Sequence, residues 1–325
     1  LPDWFSKWNY KVLPLYQKLI REIREVDKNH MIILEGAHWA TDFSIFDELS
    51  LDRLADNIML QFHKYWSNPD KESMETYLDY QERFQIPLFM GEGGENNPEW
   101  YTMLFPLYEK LNISWSFWTY KKMDCTNSPV TFNMPEGWED IIDSIDGKGK
   151  LEEKEAKKIF DDFLRCIAAP RINKEVLLAL KRQVPVTIPC EGYDDCQILS
   201  ERKKGASLRE KEPISLLFEN GRQGEVDYKR YGGEPQPESE NIVVSLAKGD
   251  SVDYRFIHDQ SELLVEVLAG GKGILRIILN DSHYDYKVTK KQMLKIRFHC
   301  IPSVNQIITL KCEEGSILLD TLRLE

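Results

Sequence analysis

The chain has 325 residues, of which 42% are apolar and 30% are charged, and its formal net charge is −12. This acidic balance speaks against nucleic-acid binding, and no apolar stretch has the length of a membrane span. The composition therefore predicts a globular, secreted protein that binds neither nucleic acid nor a membrane, with any signal peptide lying upstream of Leu1.

Helical and strand-like patterns alternate over the first 167 residues. Apolar residues of segment 14–27 recur at helical spacing, with Lys and Glu on the opposite face. Asn97 and Pro98 are typical of a helix start, because Asn caps free N–H groups and proline tolerates the first helical position. The alternation favours a parallel sheet. Strands are predicted at 31–35, 58–63, 87–91 and 113–119, and further helices at 70–84 and 151–167.

Four residues suited to sugar chemistry end short apolar runs: Glu35, His63, Glu92 and Trp118, at intervals of 26 to 29 residues. A (β/α)8 TIM barrel of about 250 residues gives about 31 residues to each strand and helix, and its active site lies at the C-terminal ends of the strands. The spacing predicts an α/β fold with the last four units of such a barrel. Because half a barrel leaves open edges, we expect the missing N-terminal half as a partner.

The pattern changes character after residue 167. Val252, Tyr254 and Phe256 alternate with polar residues, and residues 294–299 alternate in the same way. Several such strands without helices predict an antiparallel β-sandwich. The predicted domains are a half-barrel at 1–167, a linker at 168–184 that holds a short helix, and a β-sandwich at 185–325.

Four strings carry a resemblance: IREVDKNHMIILEG, QFHKYW, PLFMGEGGEN and ISWSFWTYKK. In this order they resemble the last four strands of glycoside hydrolase family 5, the cellulase family of retaining β-glycosidases. The resemblance implies that Glu92 is the nucleophile, that His63 and Tyr65 form a His-x-Tyr pair, and that Trp118 lies under the sugar. It implies hydrolysis of β-linked glucan or a related plant polysaccharide through a covalent glycosyl-enzyme intermediate.

One expected residue is not in the chain. The acid/base Glu of this family lies in an Asn-Glu-Pro motif, which would fall before Leu1. A retaining glycosidase needs both carboxylates about 5–5.5 Å apart. We therefore expect activity only when the missing half is supplied. If that Glu is absent from the whole protein, the alternative is a non-catalytic carbohydrate-binding protein on a degenerate barrel. A second alternative is a family 5 enzyme that acts on mannan or another β-glycan.

The remaining candidates each have a simpler interpretation. Glu35 is expected to bind sugar or to steady a neighbour, and Trp39 and Trp66 to form sugar-stacking platforms or ordinary loop anchors. Trp115 competes with Trp118, because the two point to opposite faces of a strand. His63 alone is more often structural, and the nearby Tyr65 is what favours a functional role.

The second domain resembles carbohydrate-binding module family 6 through IPCEGYDD, LAKGDSVDYRF and EEGSILLDTLRLE. This resemblance implies that Glu191 and Asp320 hold a structural calcium, since both carry hard oxygen ligands; otherwise they are two surface acids. No stacking tryptophan occurs in KQMLKIRFHCIPSVNQ, so packing against the barrel is the rival role of this domain. The six cysteines allow Cys190 to pair with Cys196 or Cys300 with Cys312, or all to stay reduced.

Overall fold

A parallel sheet forms the first part of the protein. The computed structural model describes residues 7–48 and 57–325. Within these ranges, β1 (Ile32–Glu35), β2 (Ile58–Lys64), β3 (Leu88–Gly93) and β4 (Ser114–Trp115) pair in that order, all parallel. The predicted partial α/β barrel is confirmed. Because the strands are parallel, Glu35, His63 and Glu92 come to one edge of the sheet.

Helices cover one side of this sheet. Helix α3 (Pro98–Lys110) is the most buried of them, because Trp100, Tyr101 and Phe105 fill the space between the sheet and the second domain. Its start is as predicted: the Asn97 side chain accepts a hydrogen bond from the Trp100 N–H, and Pro98 is the first helical residue. Among residues 7–48 and 57–120, the helices longer than four residues are α1 (Val12–Val26), α2 (Glu75–Phe84) and α3 (Pro98–Lys110).

Residues 121–172 form a small unit that the sequence patterns predicted only in part. Two helices, α4 (Trp138–Ile145) and α5 (Glu153–Ala168), lie beside the short strands β5 (Lys121–Met123), β6 (Val130–Phe132) and β7 (Arg171–Ile172). Helix α5 was predicted at 151–167. The other elements are too short to show a period.

The antiparallel β-sandwich is also confirmed. Val252, Tyr254 and Phe256 are buried, as are Leu294, Ile296 and Phe298 of a later strand. Two long strands, β13 (Glu262–Leu279) and β16 (Ser303–Leu324), pair with each other and bend at β-bulges. The strands are β8 (Val186–Pro189), β9 (Asp195–Gln197), β10 (Ser215–Phe218), β11 (Ile242–Ala247), β12 (Ser251–His258), β13 (Glu262–Leu279), β14 (Ser282–Val288), β15 (Gln292–His299) and β16 (Ser303–Leu324).

A helix connects the two parts. Helix α6 (Lys174–Lys181) packs against α3 and buries Val176, Ala179 and Leu180. The six cysteines are free thiols, so the unpaired alternative holds. Over the described ranges, no helix has both the length and the apolar character needed to cross a membrane.

Candidate active site

The carboxylate of Glu92 lies at the C-terminal end of β3 and is held by two neighbours at the end of β2, His63 and Tyr65. The Tyr65 hydroxyl donates a hydrogen bond to Glu92 Oε2 at 3.0 Å, and His63 Nδ1 lies 3.4 Å from the same oxygen. Burial and the charge of Glu92 raise the pKa of Tyr65 well above its usual range. Tyr65 therefore stays protonated and donates its hydrogen bond to the Glu92 carboxylate, which fixes the direction of that group.

The imidazole of His63 lies between two carboxylates. Its Nε2 is 3.7 Å from Glu35 Oε1, on the opposite side of the ring from Glu92, and the side chain is 9% exposed. Gln61 Nε2 lies 3.1 Å from His63 Nε2 and donates to Glu35 Oε1 at 2.5 Å. The Gln61 amide thus fixes the relative positions of Glu35 and His63.

Two glycines beside Glu92 make this arrangement possible. A Cβ added at Gly91 would lie 2.2 Å from the Gln61 side chain, so a larger residue would displace the amide that orients His63. A Cβ at Gly94 would lie 2.1 Å from the Trp118 carbonyl oxygen, and Gly94 has φ 149°. The glycines of GEGG therefore allow close approach by β2 on one side and by the chain after β4 on the other.

The backbone of Trp118 is hydrogen-bonded to Gly93, the residue after Glu92. Its N–H donates to the Gly93 carbonyl at 2.9 Å, its side chain is left 46% exposed, and its peptide bond to Thr119 is cis. Trp115 lies on the helix side, where its ring is 4.8 Å from that of Phe105. Of the two tryptophans, only Trp118 remains a candidate for sugar contact.

The other predicted aromatic residues lie at different distances from Glu92. The Trp66 ring is 5.3 Å from that of Tyr65, and its indole N–H donates to the Glu95 carbonyl at 2.9 Å. Trp39 lies in the turn after β1 and is 74% exposed. The structure thus groups Glu35, His63, Tyr65, Trp66 and Glu92, with Trp118 attached through Gly93.

Sequence reasoning missed Gln61 and Tyr231. Gln61 could have been found, because residues two apart on a strand share a face and His63 was already a candidate. Tyr231 contacts Trp66 from the second domain, with ring centroids 4.5 Å apart. Its position in a loop gives no periodic signal.

The pair predicted to hold calcium lines one cleft beside α3. Glu191 Oε2 is buried without a hydrogen-bond partner, and burial together with the charge of Asp320 raises the pKa of Glu191 to about 8. Asp320 Oδ2 lies 2.7 Å from Lys291 Nζ and accepts from Asn241 Nδ2 at 3.2 Å. A cation would gain the free Glu191 oxygen but compete with Lys291. In the parts of the chain that the structure describes, no three or more His, Cys, Asp or Glu side chains are grouped to hold a metal. The calcium stays a prediction.

Residues 2–124 match the family model "Cellulase (glycosyl hydrolase family 5)". A curated protein named endoglycoceramidase, from Hydra vulgaris, is 29% identical over 117 residues, which are 34% of this chain and 23% of that protein. The chain thus spans less than a quarter of the length of this relative.

Among solved structures, the similar ones include two family 6 carbohydrate-binding modules. One belongs to lichenase 5A of Cellvibrio mixtus, with 12% identity, TM-score 0.29, and coverage of 44% of this chain and 97% of that chain. The other is the C-terminal module of the laminarinase LamC from Zobellia galactanivorans, with 10% identity, TM-score 0.28, and coverage of 43% and 97%. Similarity this low carries no argument about function. The resemblance carried by the four strand-end strings is confirmed by the family model: residues 2–124 of this chain match the cellulase family, glycosyl hydrolase family 5.

Proposed function

We propose that this chain is the C-terminal portion of a retaining glycoside hydrolase that cleaves a β-linked glucan or related plant polysaccharide outside the cell. One observation carries the proposal: the Glu92 carboxylate ends a parallel strand and accepts a hydrogen bond from Tyr65, with His63 Nδ1 3.4 Å away. A nucleophile of this class must point in a fixed direction, and contacts with both neighbours hold the Glu92 carboxylate in place.

The reaction follows from the position of Glu92. Its carboxylate attacks the anomeric carbon, and a second carboxyl group, supplied by the barrel half that precedes this chain, protonates the leaving oxygen. Water then hydrolyses the glycosyl-enzyme, with the second carboxylate acting as base. Tyr65 holds Glu92 before the attack, while His63 and Glu35, connected through Gln61, lie beside it and suit the binding of sugar hydroxyls.

A second substrate class has an observation in its favour. The curated relative is named endoglycoceramidase, which favours the β-linked sugar of a glycoceramide as an alternative to glucan or mannan. The rival from another class is carbohydrate binding without catalysis. It predicts that the carboxylate opposite Glu92 is missing from the complete protein.

The stereochemistry of the first product tests the proposal. In the full-length protein, incubated separately with β-1,4-glucan, β-1,4-mannan and a glycosylceramide, we expect proton NMR to detect the β-anomer before mutarotation. A nucleophilic carboxylate inverts the anomeric centre twice and so retains its configuration. Initial release of the α-anomer contradicts the role of Glu92 as nucleophile. No hydrolysis of any of the three favours the binding protein.

We also propose a structural calcium bound by Glu191 and Asp320, supported by the unpartnered, buried Glu191 oxygen. Removal of calcium with EDTA should lower the thermal midpoint by about 5 °C, since a ligand that binds only the folded state stabilises it. Elemental analysis should find one calcium per chain. In the Glu191→Gln variant both signals should disappear. A calcium-free preparation with an unchanged midpoint would show that Lys291 alone neutralises Asp320.

A further inference from the structure

A loop of the β-sandwich, residues 227–234, lies against the half-barrel close to Glu92. Its backbone carbonyls accept hydrogen bonds from asparagine side chains of the first domain, so the loop is held by its main chain. These bonds run from Asn96 Nδ2 to Tyr228 O (2.8 Å), from Asn127 Nδ2 to Tyr231 O (3.1 Å) and from Asn97 Nδ2 to Glu234 O (3.0 Å).

Gly233 brings this loop close to the half-barrel. It has φ 86°, and a Cβ at this position would lie 2.7 Å from the Cβ of Asn127. Only glycine combines that left-handed backbone with that separation. Main-chain hydrogen bonds and the close approach at Gly233 therefore hold the loop in position.

The Tyr231 ring continues a row of aromatic rings, of which the first, Tyr65, is hydrogen-bonded to Glu92. It meets the Trp66 ring at 4.5 Å and 67°, and 53% of Tyr231 remains exposed. Trp66 in turn lies 5.3 Å from Tyr65, whose hydroxyl bonds to Glu92. Three rings thus connect the proposed nucleophile to the second domain.

From this geometry we infer that Trp66 and Tyr231 together form a sugar-binding subsite, to which the β-sandwich contributes Tyr231. The inference rests on the proposed function. An exposed aromatic face suits the apolar face of a pyranose, and 53% of Tyr231 stays exposed while main-chain bonds hold its loop. A cleft of about 560 Å³ begins at Trp66 and is lined by the exposed residues Glu210 and Glu225, whose carboxylates can accept hydrogen bonds from sugar hydroxyls. The occupant is a pyranose unit of an extended β-glycan chain, removed from the bond that is cleaved.

Kinetics with substrates of different length test this subsite. In the full-length protein, Tyr231→Ala should lower kcat/KM for β-1,4-linked glucose hexamers about tenfold, a ratio equivalent to about 1.4 kcal/mol. An aryl β-glucoside, which reaches only the reacting centre, should be turned over as by the wild type. Tyr231→Phe keeps the ring and should preserve the wild-type ratio.

Tyr284→Ala is the matched control. Tyr284 is 46% exposed and packs edge to face on Phe298 at 5.4 Å, on a part of the sandwich remote from loop 227–234. It should leave both substrates unaffected. An equal loss on the hexamer and the aryl glucoside with Tyr231→Ala, or no loss on either, overturns the subsite.

Calorimetric binding separates failure of this inference from failure of the proposed function. If the wild type hydrolyses none of β-1,4-glucan, β-1,4-mannan and glycosylceramide, the proposed hydrolase is wrong, and the subsite is then judged by titration with hexamers of β-1,4-glucose and β-1,4-mannose. Binding to the wild type that is weakened about tenfold by Tyr231→Ala supports it. Equal affinity in the two proteins, or no binding by the wild type, refutes it.

Discussion

Glu92→Gln in the full-length protein is expected to abolish formation of the covalent glycosyl-enzyme and to lower kcat by at least about 10³-fold. The amide cannot attack the anomeric carbon, while its size and its contact with Tyr65 are largely preserved. Labelling by a 2-fluoro glycoside, followed by mass spectrometry of the intact protein, measures the first effect. Steady-state kinetics measures the second.

Glu82→Gln is the control for this experiment, because Glu82 is an exposed carboxylate on α2. It should be labelled and turn over substrate like the wild type. The thermal midpoint of Glu92→Gln should also stay close to that of the wild type, since its carboxylate is partly exposed. A Glu92→Gln protein that is still labelled, or that keeps near-normal turnover, would remove Glu92 from the role of nucleophile.

The largest expected effect on stability is at Arg182, which follows α6 and is 2% exposed. Its guanidinium donates to the Thr102 carbonyl at 2.5 Å, to Asp194 Oδ2 at 2.5 Å and to the Gly192 carbonyl. Arg182→Met leaves a buried carboxylate without its cation, so the free energy of unfolding should fall by about 3–5 kcal/mol. Urea denaturation followed by tryptophan fluorescence measures the change.

The double variant Arg182→Met with Asp194→Asn distinguishes loss of a charge partner from loss of packing. Because it leaves no uncompensated charge in the interior, it should be more stable than Arg182→Met alone. Lys181→Met, at the exposed neighbouring position, should change the free energy of unfolding by less than about 0.5 kcal/mol. A loss below about 1 kcal/mol for Arg182→Met would show that the two parts of the chain are held together chiefly by apolar packing.

The parts of the fold that repeat were predictable from the sequence. Strands β1 to β3 appeared within two residues of their predicted bounds, because each is a short, largely apolar run bounded by polar or glycine residues. Strand β4 was predicted at 113–119 but pairs regularly only over 114–115. Beyond that point Trp118 makes a single bridge to Gly94, a contact that depends on two glycines in another strand.

The candidate site was predictable where it follows strand ends and not where it depends on the docking of loops. Glu35, His63, Tyr65 and Glu92 lie together because parallel strands bring their C-terminal ends to one edge. Tyr231 reaches Trp66 only because asparagine side chains bind carbonyls of loop 227–234, and such bonds leave no period in the sequence. Arg182 was hidden for a similar reason: its partners lie on two separate segments, helix α3 and residues 192–194.

The two long strands of the sandwich, β13 and β16, couple the order of loop 227–234 to the folding of the whole second domain. β13 and β16 pair from Val265 to Leu279 on one side, and β8, β11, β12, β14 and β15 each pair with one of the two. Opening either long strand would strip partners from most of the sheet, so the sandwich should melt as one cooperative unit. Loop 227–234 lies in the connection between β10 and β11, so it should stay ordered only while the sandwich is folded. Melting of the sandwich should therefore also remove the contribution of Tyr231 to the proposed sugar-binding subsite.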